Sequence, residues 1–104
     1  KIPKATQERL KKIIPFAGPQ NPVDFTAQVY NEFPTITEYV RAIFEEGGYD
    51  SVIAFFSSLL YSDLLTAKLI EALLPVRREF PDRLFIMCAM GPAKNRRKIE
   101  ECRF

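Results

Sequence analysis

The order of predicted elements, helix–strand–helix–strand–helix–strand–helix, assigns this chain to the α/β class, as a parallel sheet with helices on both faces in three layers. Two observations carry the assignment. Residues 51–56 and 84–88 are short, continuous apolar runs, the pattern of parallel strands covered on both sides. The stretch between them has helical periodicity and is long enough for a crossover, which should turn right-handed. Composition agrees. Hydrophobic residues make up 47% of the chain, with nine Phe and four Tyr, so residues 1–104 are read as one domain around a real core.

The elements follow in order. Thr6-Gln7-Glu8-Arg9 approximates a capping box without the acid at the third helical position, and predicts a helix over 7–14 that ends before Pro15. Residues 15–22 hold three prolines, a glycine and an asparagine, and read as a loop. Residues 23–26 read as a short strand entered through Pro22. Thr35 and Glu38 form a full capping box, followed by Ile36, Tyr39, Val40, Ile43 and Phe44 at helical spacing, with Gly47-Gly48 as a left-handed stop. After the strand at 51–56, the next helix is capped by Ser62 or Asp63. Its stripe is Leu65, Leu69, Leu73, Val76 and Phe80, and Pro75 is expected to kink or shorten it. Met90-Gly91-Pro92 turns the chain from the strand at 84–88 into a last helix starting at Ala93 or Lys94.

Charge and residue inventory exclude several functions. The formal charge is +2, with 15 basic and 13 acidic residues interleaved, which gives no strong field for nucleic acid or an anionic membrane. No apolar run approaches the ~18 residues of a membrane span and no signal peptide opens the chain, so a cytoplasmic location is expected. Cys88 reads as a buried thiol and Cys102 as unactivated, with no disulfide framework and no metal cluster. The chain contains no histidine, so no Ser-His or Cys-His nucleophile, His metal ligand or phosphohistidine can arise within it.

Ligands of open α/β sheets gather beyond the carboxyl ends of the strands. Three segments should lie there: 26–28, 57–62 and 89–94. In the middle one, Ser57 and Ser58 lead into a helix start at Ser62 and Asp63, where free amides and the helix dipole suit a phosphate. The same serines also suit a plain cap and turn. Neither GxGxxG nor GxxxxGK[ST] is present. The basic run at 94–98 is followed by Glu100 and Glu101, so Arg96–Glu100 and Arg97–Glu101 read as self-paired on a solvated helix face. Asp24, Asp50 and Asp82 read as turn or strand-end residues.

The stretch Pro15-Phe16-Ala17-Gly18-Pro19-Gln20-Asn21-Pro22-Val23-Asp24-Phe25-Thr26, then a helix, then Tyr49-Asp50 opening the strand at 51–56, resembles the NDP-forming acyl-CoA synthetases. It is most similar to the flavodoxin-like (Rossmann-like) CoA-ligase domain of the ADP-forming acetate–CoA ligase type, related to the C-terminal domain of the succinyl-CoA synthetase β subunit. The resemblance covers about residues 5–103, with Asn21, Pro22, Asp24 and Thr26 as its motif loop. It implies a three-layer sandwich truncated at its C-terminus, in an acid–thiol ligase. Acyl-CoA, phosphate and NDP would be interconverted with acid, CoA and NTP through an acyl phosphate and a phosphohistidine in another domain.

The resemblance further implies that the helix starting near Ser62 and Asp63 points at the phosphohistidine, with Ser57 and Ser58 where relatives carry a Gly pair. Its partners would be the CoA-binding, His-bearing and ATP-grasp domains of the same synthetase. ATP or GTP, coenzyme A and Mg would be bound there and none by this piece, which would have no catalytic residue and no turnover of its own. The missing last strand would leave an open sheet edge through which a homodimer could form. The alternative is a non-enzymatic flavodoxin-like or receiver-like binding domain, for which Lys94 is suitably placed but Phe56-Ser57 stands where a phosphoacceptor Asp belongs.

Overall fold

A computed structural model describes residues 1–104, apart from the side chains of Gln28 and Val29. The chain is mixed α/β, with four helices and a two-stranded parallel sheet, and it divides into two compact units, Lys1–Tyr49 and Asp50–Phe104. The sheet has two strands where the element order predicts three.

In the first unit, α1 (Lys4–Ile13) begins earlier than the near-capping box suggests. Pro3 takes the N-cap position and its carbonyl accepts the Gln7 amide at 3.0 Å, so Thr6 is buried inside the helix and caps nothing. α2 (Phe33–Gly47) also starts early. Pro34 suits a first turn, because its missing N–H is one that the helix would leave unbonded and its φ is already helical. The capping box therefore does not form: the Thr35 hydroxyl lies 3.4 Å from a Glu32 carboxylate oxygen, and Glu38 pairs with Arg41. Gly48, at φ 67°, provides the expected left-handed stop. Arg9 bridges from α1 to Glu45 and Glu46 of α2, and Leu10, Ile14, Ala17, Tyr39 and Ala42 form the core between them.

Residues 23–26 are not a strand. A single antiparallel bridge joins Gly18 and Asp24, whose amides and carbonyls exchange bonds of 2.8 and 2.9 Å. The Asp24 carboxylate then takes the Thr26 amide at 2.8 Å, and Thr26 adopts φ 62°. This Asx-type turn satisfies the backbone locally, in competition with a sheet ladder.

Tyr39 reports on this unit. Its ring meets Phe25 edge-on, its hydroxyl is buried with no hydrogen-bond partner, and burial, helped by the Asp24 charge, pushes its pKa up to about 12. The folded state thus keeps a proton that the unfolded chain loses near pH 10, so stability should fall as pH rises from about 10 to 12. Tyr39→Phe should abolish that slope without loss of stability at neutral pH. Alkaline melts of the two proteins check it; equal slopes would contradict the assignment.

In the second unit, β1 (Ser51–Ser57) leads through a 3-10 turn (Leu59–Tyr61) into α3 (Asp63–Glu79), then β2 (Leu84–Ala89) and α4 (Ala93–Glu101). β1 and β2 pair in parallel with Ser51 opposite Leu84, Ile53 opposite Ile86 and Phe55 opposite Cys88. The α3 stripe is as spaced in the sequence, with Leu69, Leu73 and Val76 fully buried and Leu65 and Phe80 half-buried. The helix runs through Pro75 to Glu79 and is not shortened there. Arg77 holds its end, donating to the carbonyls of Phe80, Arg83 and Arg103, while Phe104 packs edge-on against Phe85.

The strands are not covered on both faces. Ala54, Phe56 and Phe85 are buried, but Ile53 and Phe55 are 70% and 69% exposed and Leu84 and Ile86 are 58% and 40% exposed. Cys88 lies on the same open face and is exposed, not buried as its apolar run suggests. Among the described residues, no helix is long and apolar enough to cross a membrane.

Candidate functional site at the carboxyl ends of the strands

The last residue of β1 leaves the regular ladder. Register shifts between Phe55 and Ser57, and Ser57 adopts φ 48°, the left-handed region that favours glycine. The Ser57 carbonyl still accepts the Met90 amide at 2.7 Å, so the bulge sits where both strands end. It redirects the chain so that Ser57 and Ser58 are both exposed, ahead of the 3-10 turn.

Ser62 then caps α3. Its hydroxyl accepts the Leu65 amide at 3.2 Å, and its carbonyl accepts both the amide and the hydroxyl of the buried Thr66 at 3.0 and 2.8 Å. Ser62 is thus committed to the helix start. Asp63 follows in the first turn, where the helix dipole favours an anion. Lys94 Nζ donates to its Oδ2 and Asn95 Nδ2 to its Oδ1, each at 2.8 Å. The Lys94 hydrogen bond, then that of Asn95, holds the Asp63 carboxyl below the usual carboxylate range. The negative charge expected from a bound phosphate is here supplied in part by the protein's own side chain.

α4 starts at the same end of the sheet. Pro92 is its N-cap, and its carbonyl accepts the amides of Asn95 and Arg96. Asn95 is fully buried, although it stands within a run of exposed basic residues. Besides Asp63 it bonds the Leu60 carbonyl at 2.8 Å. Gly91 lies against that same residue: a Cβ there would come within 2.4 Å of the Leu60 Cβ and 2.6 Å of its carbonyl carbon. Leu60 is therefore clasped from two sides, by a glycine that permits contact and an amide that binds the backbone.

The structure thus gathers Ser57, Ser58, Ser62, Asp63 and Lys94 at one end of the second unit. The motif loop of Asn21, Pro22, Asp24 and Thr26 belongs to the first unit, where it closes on itself around a cis Asn21–Pro22 peptide. Asn21, Pro22 and Asp24 are exposed. The Gln28 side chain, expected among the strand-end segments, lies outside the described residues. Asn95, Gly91 and the Lys94–Asp63 bridge escape sequence reasoning. A lone asparagine in the Lys-Arg run and a glycine before Pro92 are the signals that mark them. Lys94 is paired across the fold, not along its helix. Among the described residues, no group of three or more His, Cys, Asp or Glu side chains could hold a metal ion. No family model, curated protein or solved structure matches the chain.

Proposed function

We propose that this chain serves an NDP-forming acyl-CoA synthetase as a CoA-ligase-type domain, within a flavodoxin-like sandwich that additional strands would complete. In this reading the loop from Ser57 to Asp63 faces a phosphoryl group carried by a histidine of another domain. Nucleotide, Mg and coenzyme A are held by those other domains, and this chain positions and takes no proton itself. The observation that carries the reading is the backbone of Ser57. Its left-handed φ occurs at the position where the resembling enzymes carry glycine. The parallel pairing of β1 and β2 and the common placement of the α3 and α4 N-termini at the strand carboxyl ends support it as well.

The test uses the full-length gene product that contains this chain, assayed for acyl-CoA formation and nucleoside diphosphate release. Ser58→Asp sets a carboxylate beside the incoming phosphoryl group and should lower kcat at least ~10-fold, about 1.4 kcal/mol of barrier, with the fold intact by circular dichroism. Ser58→Ala should stay near wild type. The isolated chain should show no turnover. Wild-type kinetics for Ser58→Asp, turnover by the chain alone, or a full-length product without ligase activity would each overturn the proposal.

A receiver-like regulatory domain is the second reading, favoured by the Lys94–Asp63 bridge between the first turns of α4 and α3. It requires acetyl phosphate to label Asp63, and labelling that survives Asp63→Asn would exclude it.

A further inference from the structure

The open face of the sheet is the least accounted-for surface of the second unit. Parallel strands are almost always covered on both faces, yet here one face presents Ser51, Ile53 and Phe55 from β1 beside Leu84, Ile86 and Cys88 from β2. None of these six residues is charged, whereas α4 carries four basic residues followed by two acidic ones. We propose that this face binds the same face of a second copy of the chain, forming a two-fold sandwich of sheets. The proposal rests on the sheet face and not on the phosphoryl reading, and it concerns the chain by itself, since a completed three-layer sandwich would lay helices over this face.

Three arguments select a second copy as the occupant. The first is charge. A neutral, apolar patch meets its own copy with no like-charge repulsion, whereas a charged partner would bury its charges unpaired. The second is shape, which follows from the register. Large and small residues alternate diagonally, with Leu84 opposite Ser51 at one end, Ile53 opposite Ile86 in the middle and Phe55 opposite Cys88 at the other. A two-fold axis between the stacked sheets, along or across the strands, sets each end's large residue over a small one. Phe55 then meets Cys88 or Ser51 of the copy, and Leu84 meets the other of that pair. Aligned sheets pack in this way about 10 Å apart.

The third argument is area. The exposed parts of Ile53, Phe55, Leu84 and Ile86 amount to about 450 Å² per copy, on the order of the largest patch of a typical monomer. Two copies would remove about 900 Å² through these four side chains alone. With Ser51 and Cys88 at the rim, the total approaches the ~1,200 Å² low end of specific interfaces. A reversible dimer of micromolar affinity is the expected scale.

Sedimentation velocity of the purified chain from about 1 to 200 µM tests it on that scale. A concentration-dependent monomer–dimer equilibrium is expected. Ile53→Asp and Phe55→Asp should each weaken it at least ~10-fold, because a carboxylate would be buried without a partner. Leu64→Asp, at a residue 63% exposed on α3 outside this face, should leave it unchanged. Amide exchange at the buried neighbours Ala54, Phe56 and Phe85 establishes that the variants remain folded. In a Cys102→Ser background, Cys88 should react more slowly with a thiol reagent as dimer accumulates. A wild-type chain that stays monomeric across the range overturns the proposal. So does a dimer that tolerates Phe55→Asp, which would assign association to another surface such as the strand edges.

Discussion

Gly91→Ala should destabilise the second unit by about 3 kcal/mol, at the upper end of overpacking costs. A Cβ at this position meets backbone: 2.6 Å to the Leu60 carbonyl carbon and 2.7 Å to its oxygen. Backbone cannot rotate aside as a side chain can, so the turn between β2 and α4 would have to separate from the 3-10 turn. That movement would also stretch the Met90–Ser57 and Asn95–Leu60 hydrogen bonds, of 2.7 and 2.8 Å. For a unit of this size the loss corresponds to a fall of roughly 12–20 °C in Tm. Thermal melts with amide exchange along β1 and β2 check it. A variant within about 0.5 kcal/mol of wild type, the range of an ordinary surface change, would show that the clasp on Leu60 is not formed.

Asn95→Leu should have a comparable effect by the opposite route, through absence of contact. It removes both bonds of the Asn95 amide and leaves the Leu60 carbonyl without its side-chain donor at a buried position. Each lost bond costs about 1 kcal/mol and an orphaned buried acceptor about 1–3, so a total near 3 kcal/mol is expected. Asp63 would keep Lys94 but lose its second donor, so its carboxyl should move back toward the usual range. The sign follows from the depressed value in the folded state. The stability that Asp63 contributes is present above its unfolded pKa and lost as pH falls through the folded one. The acid limb of the stability curve should therefore be shallower in Asn95→Leu than in wild type. Equal acid limbs, or unchanged stability at pH 7, would refute the role. Because Gly91 and Asn95 act on one residue, the double variant should lose less than the sum of the two.

Strong local signals were legible along the chain. The α2 stripe, its stop at Gly48, the Ser62 cap of α3, the two apolar strands and the turn at Met90-Gly91-Pro92 all emerge where spacing and turn chemistry place them. Helix starts were less legible where two signals competed. Thr6 and Thr35 both have N-cap chemistry, yet α1 starts directly behind Pro3 at its N-cap, and α2 takes Pro34 into its first turn, where a fixed φ and an absent donor cost nothing. Residues 23–26 have strand-like composition, but the Asp24 side chain satisfies the Thr26 amide and no neighbouring strand is needed.

Residue types and spacing alone establish an α/β chain with a parallel β1–α3–β2 crossover and no histidine chemistry of its own. Those are properties of periodicity and inventory. Tertiary structure decides which face of each strand is covered. A five- or six-residue apolar run reads alike with one layer over it or two, so the exposure of Ile53, Phe55 and Cys88 is invisible until the layers are placed. It also decides the company kept by Lys94 and Asn95. Within α4 they look like parts of a solvated basic face, but helix and 3-10 turn meet at the strand ends, and one residue becomes a bridge to Asp63 while the other becomes a buried clasp on Leu60. Contacts thirty or more residues apart in sequence leave no periodic trace, because each depends on where a different element ends.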